Sequence, residues 1–230
     1  MAGRKPKLEP SRTAFLAELA AAANLVAAIH KVPSSVKAST SPTLHQKYKV
    51  QVVELAFMAI VAAWEEYLEA TLIRYVAGAK TASGYAPTPK FGIASNIGHA
   101  YQVLSGKTTF NPESDYIKAS DAAWVRSKAN FVFSSHPYNC LTPRAQQLSA
   151  ANTIRNRVAH ASIKCKAEFK TVALQLLALP VNGKLKQSFT AGNLLLVPTT
   201  ANFGAAIPAN SNHFNAFVHI YTHLAHTIVP

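Results

Sequence analysis

Carboxylates are scarce in this chain: 230 residues hold only 10 Asp and Glu, and the only aspartates are Asp115 and Asp121. Magnesium sites in nucleases are assembled from several carboxylates, so a two-metal nuclease is not expected. The one local cluster, Glu65, Glu66 and Glu69, has the spacing of an ordinary polar helix face. Cysteine is rarer still. Cys140 and Cys165 are too few for a disulfide framework and lack any CxxC spacing for zinc, which points to a reducing, cytoplasmic setting. Glycines such as Gly98, Gly106, Gly183 and Gly192 are isolated, so phosphate-loop and dinucleotide functions fall away. No G-x-S-x-G elbow marks a serine nucleophile. Long uncharged apolar runs are missing too, since Glu54 interrupts the best candidate at 50–64. Arg4, Lys5 and Lys7 ahead of an alanine-rich stretch imitate a secretory signal, but Glu18, Asn24, Pro6 and Pro10 break the imitation. Neither a membrane span nor a metal or other cofactor is expected.

Cations are abundant. The 23 Lys and Arg give a formal charge of +13 and a pI near 9.9, the electrostatic footprint of a polyanion partner. With 49% hydrophobic residues the chain can bury a core, and its length fits one domain spanning 1–230.

The hydrophobic periodicity predicts a mainly α fold. Residues 1–10 read as a flexible basic tail, with Ser11 capping a helix to about His30 whose apolar side holds Phe15, Leu16, Leu19, Leu25, Val26 and Ile29. A Ser/Thr/Pro loop follows at 32–42, then a long helix from about 43 to 77. Val53, Phe57, Ile60, Val61, Trp64, Leu68, Leu72 and Tyr75 form its buried stripe, and Gly78 stops it. Short helices are expected at 93–104 and 116–133, and Thr142-Pro143 reads as the start of a helix through Leu148, Ala151, Ile154 and Val158. After a helix at 167–179, Asn182-Gly183 invites a small β-hairpin near residues 180–198, and a last helix covers 212–228.

Two clusters of functional residue types stand out. His219, His223 and His226 share a helix face at i, i+4 and i+7, but with no acidic or cysteine ligand nearby they read first as histidines of an amphipathic helix. Arg155-Asn156-Arg157-Val158-Ala159-His160 places a permanent cation and a titratable imidazole five positions apart. Such a pair suits RNA cleavage without a metal: one group stabilises charge and the other moves protons. On an ideal helix, five residues rotate by about 140°, so Arg155 and His160 do not stack. A curled Arg, a deformed helix end, or a cleft shared by two subunits would each reconcile them.

The segment Trp64-Glu65-Glu66-Tyr67-Leu68-Glu69 together with Arg155-Asn156-x-x-x-His160 resembles the HEPN superfamily, in particular its RiboL-PSP-HEPN-like branch of helical ribonucleases. The resemblance covers about 43–165 and leaves 166–230 as a C-terminal elaboration. It implies a helical bundle around a long central helix, assembled as a homodimer with both motifs at one cleft. It further implies a metal-independent endoribonuclease that leaves 2′,3′-cyclic phosphate ends, with Arg155, Asn156 and His160 as catalytic residues and Glu65, Glu66 and Arg157 in support. The setting implied is toxin–antitoxin, phage defence or stress response, with RNA as substrate and an antitoxin or regulatory protein as restraint. The alternative is a non-catalytic HEPN-like module that binds RNA, nucleotides or a partner.

Overall fold

The computed structural model describes residues 6–34, 43–204 and 207–230. Residues 1–5 of the expected tail and 35–42 of the expected loop lie outside them. The helices are α1 (Glu9–Lys31), α2 (Gln46–Val76), α3 (Ile97–Ser105), α4 (Ala122–Val132), α5 (Ala145–Ala159), α6 (Ile163–Leu176), α7 (Ala191–Leu196) and α8 (His213–Ile228). The protein is mainly helical, as its periodicity predicts, with 63% helix and 4% strand among the described residues. Every member of the predicted α2 stripe is buried, because three-and-four spacing keeps those side chains on one face. On α1, Leu25 departs from its expected place and is 49% exposed.

Residues 1–16, 63–145 and 222–230 form one compact unit, and residues 17–62 and 146–221 form a second. Helices α1, α2 and α8, and α5 through its first residue Ala145, contribute residues to both.

In the first unit, Leu8 is fully buried and α1 begins at Glu9, so the helix takes in the end of the expected tail. The phenols of Tyr67 and Tyr75 donate to the carbonyls of Ala225 and Ile228 at 2.8 and 2.7 Å, and Arg12 donates to that of Val229. The Ile228 and Val229 carbonyls lie past the reach of α8's own N–H groups, whereas the Ala225 carbonyl also accepts from the Val229 N–H at 3.1 Å. Tyr138 donates to Thr71 Oγ1 at 3.1 Å. Burial pushes all three phenols up in pKa, keeping them protonated as donors. At the end of α2, Gly78 adopts φ +78° while its N–H and that of Ala79 return to Tyr75 and Arg74 carbonyls, a Schellman ending. The helix expected from 116 starts only at Ala122, where Asp121 accepts from the N–H groups of Ala123 and Trp124. Thr142-Pro143 lies inside a 3-10 helix, Pro137–Arg144, that runs into α5. Strands β1 (Thr88–Pro89) and β2 (Phe133–Ser135) pair antiparallel here.

In the second unit, Phe57 packs on Phe214 and Phe217 with ring centroids 6.5 and 5.1 Å apart, and Phe217 meets Phe203 at 5.2 Å. The Glu54 carboxylate accepts from the N–H of Gly192 at 2.9 Å. The hairpin expected near 180–198 is not formed. Gly183 lacks the positive φ that a two-residue primed turn demands, and its N–H returns to the carbonyl of Pro180. Thr190 and Asn193 then make a reciprocal capping box that starts α7 where a strand was expected.

By length and hydropathy, α1 meets the criterion for a membrane-crossing helix despite Glu18. Core helices of soluble proteins and signal sequences near an N-terminus meet the same criterion.

Candidate functional site

The Arg155–His160 motif occupies the last turn of α5 and the residue after it, all within the second unit. Buried Leu148, Ala151 and Ile154 anchor the helix, which leaves the motif on its outer, half-exposed side. Arg155 donates from Nη1 to Asn156 Oδ1 at 3.0 Å, so cation and amide are held together. The Asn156 carbonyl accepts from the His160 N–H at 2.9 Å, and Arg157 Nη1 reaches the His160 carbonyl in a long 3.5 Å contact. His160 is exposed and stands one position past the end of α5. Its N–H still makes the helical bond to Asn156, so His160 closes the last turn of α5. Among the described residues no hydrogen-bond partner orients the His160 ring.

Three residues after the motif begins its exit, Ser162 accepts from the Cys165 N–H at 3.2 Å and starts α6. The corner between α5 and α6 is thus only His160, Ala161 and Ser162. Lys164 and Lys166 sit in or beside the first turn of α6, at the positive end of the helix dipole, where acidic groups are normally favoured. Lys164 is compensated by Glu168 at 3.8 Å. Lys166, Lys170 and Lys184 make no ion pair among the described residues, yet they line one cavity of about 550 Å³ with Arg157, Phe169 and Phe189. From Ala122 to Pro230 the sequence carries ten Lys and Arg and a single carboxylate, Glu168. Unpaired cations around a cavity next to an Arg/His motif give that surface a positive potential, which attracts anions.

Glu65 and Glu66 lie on the part of α2 that belongs to the first unit, and Glu66 borders a cavity there with Glu69, Arg74 and Tyr101. Glu69 accepts from the Tyr101 hydroxyl at 2.8 Å, and burial together with that bond pushes the Tyr101 phenol up to about 12. His219, His223 and His226 are exposed along α8. Among the described residues no three His, Cys, Asp or Glu side chains gather as metal ligands. Cys140 is an unpromising nucleophile, because burial raises its thiol to about 12.

Sequence reasoning missed Lys166, Lys170, Lys184 and Phe189. Two signals were available: Lys166 and Lys170 fall at i, i+4 on one helix beside Phe169, and carboxylates almost vanish after Asp121.

The chain has no match among protein-family models, curated proteins or solved structures.

Proposed function

We propose that this protein is a metal-independent endoribonuclease of HEPN type. The observation that supports this reading is the joined Arg155–Asn156 pair and exposed His160 at the end of α5, beside a cavity lined by unpaired cations. In the proposed reaction the 2′-oxygen of the substrate attacks the adjacent phosphorus and gives its proton to an imidazole. The bond from phosphorus to the 5′-oxygen breaks, and that oxygen takes a proton from a second imidazole, leaving a 2′,3′-cyclic phosphate and a 5′-OH. Arg155 stabilises charge on the non-bridging oxygens, Asn156 holds Arg155 and contacts phosphate, and Arg157 adds positive potential.

Each motif supplies one histidine, whereas this chemistry uses an acid and a base. The reading therefore includes a homodimer with two copies of His160 at one cleft. Glu65 and Glu66 remain proposed orienting groups. Restriction of RNA in a toxin–antitoxin, phage-defence or stress setting, in the cytoplasm and under restraint by an antitoxin or regulatory protein, completes the reading.

A second reading, RNA binding without cleavage, is favoured by the imidazole that no neighbour among the described residues orients, since catalytic histidines depend on such a partner. Purified protein incubated with labelled RNA in EDTA separates the two. The nuclease reading expects cyclic-phosphate ends, and a loss of about 100-fold or more in rate for His160→Ala with RNA binding kept. Wild-type protein that binds RNA but leaves it intact would establish the second reading, and cleavage abolished by EDTA would overturn the metal-free chemistry.

A further inference from the structure

A second cavity, of about 490 Å³, is lined by Leu177, Leu179, Phe189, Asn193 and Val197. It shares Lys184, Leu185 and Phe189 with the cationic cavity beside the motif. The two differ in character. One collects Arg157, Lys166, Lys170 and Lys184, and the other sets Leu177, Leu179, Leu185, Phe189 and Val197 beside the polar groups of Lys184, Lys186, Ser188 and Asn193. Among those polar groups, Asn193 spends its Oδ1 on the Thr190 N–H at 3.0 Å, which leaves its Nδ2 as a donor, and Ser188 contributes a hydroxyl.

An apolar slot joined to a phosphate-binding cleft through a shared aromatic ring has the chemistry of a nucleotide site. The cations take the backbone phosphates, and a base leaves the stack to rest in the slot against Phe189. A paired base cannot enter, because its face and Watson–Crick edge are occupied within the duplex. We propose that α6 and the 177–197 segment form a recognition site for one unpaired nucleotide of single-stranded RNA, seating the strand so that it passes Arg157 on its way to the motif. The proposal rests on the reading of the protein as acting on RNA, and it assigns substrate selection to the region that the HEPN resemblance leaves unexplained. Charge complementarity chooses the occupant: Lys166, Lys170 and Lys184 have no ion partner among the described residues, and Glu168 is the only carboxylate after Asp121.

The test measures fluorescence anisotropy of a short 2′-O-methyl RNA, which binds but has no free 2′-OH to react, as a single strand and as the corresponding duplex. Wild-type protein should prefer the single strand. The double variant Lys166→Gln/Lys170→Gln, which alters two exposed side chains, should bind it about tenfold more weakly, with the slope of log Kd against log salt reduced by about 1.4. Phe189→Ala should cost about tenfold on the single strand and be insensitive to an abasic position that weakens the wild type. Equal affinity of the lysine double variant and the wild type, or a duplex bound as tightly as the single strand, overturns the site. Cleavage that depends on His160 with no effect of the lysine pair on affinity removes the nucleotide site and leaves the nuclease reading. Selective single-strand binding that needs the lysines, with no cleavage of unmodified RNA, does the reverse.

Discussion

Residues 17–62 and 146–221, the second unit, carry eleven Lys and Arg against three Glu, whereas the segments of the first unit carry twelve against seven acids. The aromatic residues divide as well: six of the eight Tyr lie in the first unit, and six of the eleven Phe lie in the second. The first unit ties buried tyrosine hydroxyls to the carbonyls of Ala225 and Ile228 and to the Thr71 hydroxyl, so its core combines packing with directed bonds. The second packs phenylalanine on phenylalanine around Phe217, buries His213 and Gln147 with bonds to the carbonyls of Leu194 and Phe203, and carries the motif and the cationic cavity at its surface. The larger excess of cations over carboxylates thus belongs to the unit that carries the motif and the cationic cavity.

The sharpest way to break this contrast is to remove one aromatic from each core. Phe217→Ala should cost about 3–5 kcal/mol through lost burial and the cavity left behind. Tyr75→Phe keeps the ring and removes only the hydroxyl, so about 1–3 kcal/mol is expected from the orphaned Ile228 carbonyl. Urea denaturation measures both. A Tyr75→Phe protein as stable as the wild type would show that the hydroxyl bonds are incidental to the first unit.

Acid tests what the two units share. His136 in the first unit and His213 in the second both have pKa values lowered chiefly by burial, with the Lys90 charge adding to the shift at His136. His213 donates from Nδ1 to the Leu194 carbonyl at 3.0 Å, while its Nε2 is buried without a partner. A depressed histidine pKa means that the unfolded chain takes up a proton before the folded one does. Stability is therefore complete above the ordinary histidine range and falls as pH drops below about 6.5, by at most about 1.4 kcal/mol per pH unit for each ring. Urea midpoints between pH 7.5 and 5 should decline, and His213→Gln should flatten part of the decline. Midpoints that rise on acidification would contradict the burial of neutral rings.

Helix caps supply the smallest comparison. Ser162→Ala at the start of α6 and Asp121→Ala at the start of α4 should each cost about 1 kcal/mol. If cleavage is present, Ser162→Ala should also reduce it, because this cap fixes the corner that carries His160. Asp121→Ala, in the other unit, should change thermal stability alone.

Much of the helical layout was legible because it is local. The α2 stripe, the Gly78 stop and the span of α8 follow from side-chain periodicity and backbone freedom within a few residues. The motif was legible for the same reason, as a short spacing at a helix end. Misreadings arose where local signals competed. Asn182-Gly183 is a strong turn signal, but capping by Thr190 and the contact of Gly192 with Glu54 make the following segment helical. The strand pair joins Thr88–Pro89 to Phe133–Ser135 across more than forty positions, and pairing at that separation leaves no periodic trace.

By itself the sequence determined a mainly helical chain with a long apolar-striped helix, a cationic surface and an Arg-Asn/His motif, since propensity, periodicity and charge are properties of neighbouring residues. Only the tertiary structure decided that Lys184 and Phe189 join Lys166 and Lys170 around one cavity. That outcome depends on which distant segments the buried side chains draw together, and burial energy depends on area, not on sequence separation.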